Sequence, residues 1–97
     1  MIRTDDYIRQ IFLKPLGAQV EARGWVKTRR DSKGIHFIQL NDGSSFQDLQ
    51  VVIESGAVPE TALAAATTGA CVCVSGELIA SPGSGQSVEL KARGLEV

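Results

Sequence analysis

Apolar positions along this chain change their period three times, and the changes divide it into elements. Ile8, Ile11 and Phe12 recur at i, i+3 and i+4, the apolar stripe of a short helix over residues 4–14. Thr4 offers a capping hydroxyl, Asp5 and Asp6 sit at the positive end of the helix dipole, and Pro15 to Gly17 stops it. From Ala18 the period falls to two: Val20, Ala22 and Val26 point one way, and Glu21, Arg23, Trp25 and Lys27 the other. Gly24 interrupts this strand and predicts a bulge or tight bend, which leaves the facing of Trp25 and beyond open by one position.

A second strand over residues 34–41 sets Ile35, Phe37 and Gln39 on one face and His36, Ile38 and Leu40 on the other. Asn41-Asp42-Gly43-Ser44 is a hairpin turn, and a third strand over 46–54 opposes Leu49, Val51 and Ile53 to Gln50, Val52 and Glu54. Pro59 and Glu60 open an alanine-rich helix closed by Gly69. Strands over 70–80 and 86–97 flank a rim loop at 81–85. Helix, three strands, helix, two strands is the order of an OB-fold: an all-β five-stranded Greek-key barrel with small helical content. At 97 residues it fills one domain, residues 1–97.

Composition is that of an ordinary soluble domain, and no apolar run is long enough to span a membrane. Asp5, Asp6, Arg9 and Gln10 break up any signal-peptide core. Two cysteines make no disulfide framework, so a reducing, cytoplasmic setting is expected. The net charge of −1 hides a segregation: residues 21–33 carry +3 and residues 34–97 carry −5. Focused positive potential of this kind steers an anionic partner even when the whole is slightly acidic.

The positive stretch is GWVKTRRDSKG (24–34), in which Lys27, Arg29, Arg30 and Lys33 face Asp31 as their one anion. Behind it, Phe37 shares a strand face with the polar Gln39, as a base-stacking platform does. Gln50 projects out of phase with Leu49 and Val51, and its amide can donate and accept at a base edge. Glu89 alternates outward between Val88 and Leu90. Cys71 and Cys73 share a strand face and read as small buried hydrophobes; with one histidine in the chain, no zinc set is expected. Gly83-Ser84-Gly85 leads into no helix and lacks the geometry of a phosphate loop. No Ser/His/Asp or Cys/His set is visible, so no catalytic residue is expected.

The stretches GWVKTRRDSKG, IHFIQLNDGS (35–44), LQVVI (49–53) and VSGELIASPGSGQSVEL (74–90) resemble the N-terminal anticodon-binding domain of asparaginyl-tRNA synthetases. The wider group is the class II synthetases for aspartate, asparagine and lysine. The resemblance implies that Phe37 stacks on the central anticodon uridine, that Gln50 bonds its edge and that Glu89 contacts a neighbouring base. It implies Arg30 at the anticodon, with Arg29 and Lys27 near phosphates. The implied partner is tRNA through its asparagine anticodon loop. Aminoacylation, ATP, magnesium and the homodimer interface are implied for a catalytic domain beyond this chain, which holds no cofactor itself. Two rivals stay open: a sequence-tolerant single-strand binder, and a scaffold or protein-interaction domain.

Overall fold

A computed structural model describes residues 7–80 and 88–97. The elements run α1 (Ile8–Ile11), β1 (Gln19–Ser32), β2 (Ile35–Asn41), β3 (Leu49–Glu54), α2 (Glu60–Ala65), β4 (Cys71–Ala80) and β5 (Val88–Glu96). The strands close a barrel in the order β1-β2-β3-β5-β4, with β3 and β5 parallel and every other pair antiparallel. The OB-fold expectation stands. Closure leaves no open sheet edge, which lets so short a chain hold a sheet without disulfides.

The alternation fixes the core. Val20, Ala22 and Val26 of β1, Ile38 and Leu40 of β2, and Leu49, Val51 and Ile53 of β3 are buried. They meet Val72, Val74 and Leu78 of β4 and Val88, Leu90, Ala92 and Leu95 of β5 in one cluster. Ile8 and Ile11 of α1 join this cluster and are fully buried, a gain of about 1.5–3 kcal/mol each. The expected caps Thr4, Asp5 and Asp6 lie outside the described residues, as does the loop at 81–85. The described end of α1 is held from elsewhere: the Ile8 amide donates to Asp42 Oδ2 at 2.9 Å and the Arg9 amide to Ser44 Oγ at 3.1 Å.

Three expectations need correction. Cys71 is exposed and Cys73 half-buried, because the inward phase of β4 belongs to Val72, Val74, Gly76 and Leu78. The third strand begins at Leu49, not at residue 46. Asn41 draws residues 42–48 into a longer connection: its amide donates to Ser45 O and Asp48 Oδ1, while its Oδ1 accepts from the Gly43 amide. Phe46 is thereby left in the loop and wholly exposed. The bulge lies at Lys27, between Val26 and Thr28, rather than at Gly24. Gly24 serves instead as a close approach, since a Cβ there would sit 2.3 Å from Asn41 O.

Candidate nucleic-acid interface

Past Trp25, β1 leaves β4 and pairs with β2 alone, so residues 28–32 and 35–39 extend with β3 as a three-stranded ribbon. One extra residue at Lys27 shifts the phase of this half. Arg30 falls opposite Phe37, and Arg29 opposite the buried Ile38.

On the outer face, the Arg30 guanidinium lies over the Phe37 ring, 4.6 Å from its centroid. That distance is within the range of a cation–π contact. Beside Phe37 runs a line of amides. Gln39 Nε2 donates to Gln50 Oε1 at 2.7 Å, and Gln50 Nε2 donates to Glu89 Oε2. The line crosses β2, β3 and β5, and it is the register Gln39↔Gln50 that brings the first two together. Glu89 shares the outer phase with Ile79, yet only 4% of it is exposed. Phe37, Gln50 and Arg30 therefore share one outer face, whereas Glu89, expected to project outward beside them, is buried and meets that face through its bond with Gln50.

The other cations divide. Lys33 stands exposed at the β1–β2 turn, where Gly34 takes a φ of 72°. Lys27 is exposed at the bulge, with Asp48 Oδ1 3.6 Å from its Nζ. Arg29 turns inward and is 17% exposed. Its Nη1 donates to Leu63 O at 2.5 Å and Ala66 O at 3.1 Å, carbonyls at the end of α2. Both carbonyls lie at the negative end of the helix, where a guanidinium suits their partial charge, and Leu63 O accepts from the Ala66 amide as well, at 3.3 Å. Arg29 thus fastens α2 to the ribbon and does not share the outer face with Arg30.

A trio absent from the sequence pattern also comes together. His36 Nδ1 lies 2.8 Å from Asp31 Oδ1, and His36 Nε2 lies 3.2 Å from Ser55 Oγ. This is the connectivity of a Ser–His–Asp relay. Here the same Asp31 oxygen also accepts from Arg29 Nε at 3.0 Å, which drains the negative charge that would polarise His36. The trio acts as a clasp joining β1, β2 and the residue after β3.

The hydrogen bond from His36, and then that from Arg29, hold the Asp31 carboxyl below its ordinary value of 3.8. A carboxylate depressed in the folded state adds stability that is fully present above the unfolded pKa. It is lost as pH falls through the lower folded value. Acid titration of the thermal midpoint should therefore show a shallower acid limb in Asp31→Asn than in the parent. Parallel limbs would show that the clasp adds nothing.

A separate open groove of about 480 Å³ lies between Trp25, Cys71, Cys73 and Val97, on β1 and β4 away from this face. Burial and a hydrogen bond with Glu21 push the Cys73 thiol up, which leaves it little thiolate character. Among the described residues no group of three or more His, Cys, Asp or Glu side chains could hold a metal.

Sequence reasoning missed Gln39, Arg29's inward turn and the clasp. Gln39 alone had a signal, its place two residues from Phe37 on the same face.

Residues 20–97 match the tRNA anticodon family, described as an OB-fold nucleic acid binding domain. The asparagine–tRNA ligase of Solibacter usitatus is 61% identical over 97 residues, all of this chain and 21% of that protein. That of Phocaeicola vulgatus is 50% identical over 84 residues, 87% of this chain and 18% of that protein. The chain thus spans about a fifth of the length of these curated relatives. Asparaginyl-tRNA synthetase from Pyrococcus horikoshii, complexed with asparaginyl-adenylate, superposes with a TM-score of 0.82 over 100% of this chain and 22% of that one. At 24% identity that likeness is one of fold. An OBody bound to hen egg-white lysozyme shares the fold too, at a TM-score of 0.69 and 23% identity, over 84% of this chain and 79% of that one. The closed barrel and the match over residues 20–97 agree: the chain belongs to the tRNA anticodon family of OB-fold nucleic acid binding domains.

Proposed function

We propose that this chain grips the anticodon loop of asparagine tRNA, as the recognition domain of an asparagine–tRNA ligase. The observation that carries the reading is the contiguous outer face on which Phe37, covered by Arg30, adjoins the Gln39–Gln50–Glu89 line. An unpaired loop base takes the place of the Arg30 guanidinium on the Phe37 ring, and the guanidinium turns to that nucleotide's phosphate. Gln50 bonds the base edge, and Glu89, buried one strand further, holds the Gln50 amide rather than meeting the neighbouring base that the resemblance implied for it. Lys27 and Lys33 hold phosphates along the rim; these position the RNA, while the sheet reads it. Arg29 supports them from beneath through α2. Ligation, with ATP, magnesium and a dimer interface, belongs to the other part of such a ligase, and the setting is the cytoplasm.

A second reading, sequence-tolerant single-strand binding, draws on two further exposed aromatics, Phe46 and Trp25. Titrating asparagine tRNA against an unrelated RNA of equal length decides between them. Tighter binding of the tRNA is expected; equal affinity supports the second reading, and no affinity for either at low salt supports a scaffold role. With three cations on phosphate at ~0.7 per contact, the log–log salt slope should be near −2. A slope near zero would remove the phosphate rim from the account.

A further inference from the structure

We infer that Gln39 is a positioning residue which, together with Glu89, locks the amide of Gln50 in the orientation that selects uracil over cytosine. The inference rests on the proposed RNA-binding role of this face. A glutamine amide is nearly symmetric in shape, and its terminal torsion is broad and roughly two-fold. Left alone, Gln50 could offer its oxygen or its nitrogen to a base equally well. The structure removes that freedom from both ends.

Glu89 Oε2 can only accept, so the Gln50 NH₂ must face it, and the Gln50 oxygen is turned toward β2. There Gln39 Nε2 supplies the donor this oxygen requires, at 2.7 Å. Every bond in the line then runs one way, from Gln39 through Gln50 to Glu89. At 4% exposure, Glu89 keeps this order with little competition from water.

The locked amide still has one N–H and one oxygen lone pair to offer. Phe37 pairs with Val52, so Gln50 is its diagonal neighbour across β2 and β3, within reach of a base stacked on the ring. Uracil presents an acceptor at O4 beside a donor at N3. Cytosine presents a donor at N4 beside an acceptor at N3. For a base held in one place by stacking, the two edges demand opposite amide orientations. The line therefore sets which pyrimidine fits.

The test compares two RNA hairpins that differ only in uridine or cytidine at the centre of the loop, bound to four forms of the full chain. The parent should favour uridine by roughly tenfold or more, the scale of one good bidentate pair. Gln39→Glu places an acceptor at each end of the amide, so the preference should fall to near parity. The charge-conserving double change Gln39→Glu with Glu89→Gln reverses every bond in the line, and the preference should pass to cytidine. Glu89→Gln alone frees the amide and should also erase the preference. Circular dichroism checks each fold, and the double variant decides the matter if Gln39→Glu is unfolded.

A parent that ignores the base overturns both this inference and the reading of the face. A parent that prefers uridine, with Gln39→Glu or the double variant keeping the parent's ratio, overturns the inference alone.

Discussion

Gly76→Ala should cost about 3 kcal/mol or more and lower the thermal midpoint by roughly 12–24 °C, although it adds a single carbon. The cause is backbone proximity. Gly76 lies buried on β4 where the pairing with β5 shifts register between Ser75 and Gly76. A Cβ there would stand 2.0 Å from Lys91 O, 2.9 Å from Lys91 C and 3.1 Å from Ala92 Cα. All three atoms are backbone, so no rotamer change relieves the clash. The strands that close the barrel must separate, or the Gly76 region must leave its register with Val20 on β1. A domain of this size has about 5–15 kcal/mol of stability in total, so the loss is a large part of it.

Gly94→Ala is the matched control. Its new carbon would meet Ser75 Oγ at 2.5 Å, the end of a side chain that can rotate away. It should lose much less. Thermal unfolding of both, followed by circular dichroism, reads the difference; equal midpoints for Gly76→Ala and the parent would contradict the closure described for β4 and β5.

The second large effect falls on binding and leaves the fold alone. Phe37→Ala should weaken RNA affinity by about 1–3 kcal/mol, roughly five- to 150-fold. The side chain stands on the outer face and is half-buried, with Arg30 lying over it. Its loss opens no cavity in the core of Ile38, Leu40 and Val51. The midpoint should stay within a few degrees of the parent, which separates this variant from one that fails by unfolding. Arg30→Ala isolates the companion group. It leaves the ring in place and removes a phosphate contact, so it should reduce the salt slope by about 0.7.

How far the sequence revealed this depends on the kind of contact involved. The faces of β2 and β3 were legible because a period-two alternation with one side buried leaves no other register. Ile38 and Leu40 against Phe37 and Gln39 is a pattern that a slip of one residue would destroy. The half of β1 beyond the bulge was less legible, since one extra residue at Lys27 reverses every facing after it. That is why Arg29, equal to Arg30 in the sequence, ends beneath the sheet. The outward cysteines of β4 follow from similar arithmetic: Val72 and Val74 already fill the inward phase. Phe46 left the strand because Asn41 side-chain bonds outweigh the aromatic's strand preference in residues 42–48.

The amide line and the clasp could not be seen at all. Gln50 and Glu89 are 39 residues apart, and His36 and Ser55 are 19 apart. Only barrel closure, with β5 laid parallel to β3, makes the first pair neighbours.

The central claim is that Phe37 stacks on a loop base of the bound RNA. A double cycle tests it most directly, by pairing Phe37→Ala with a tRNA that lacks the base at the central anticodon position. Removing the base should weaken binding to the parent by roughly tenfold, and weaken binding to Phe37→Ala hardly at all, because both changes delete one contact. Equal losses for the two proteins would mean that ring and base never meet, and would contradict the account.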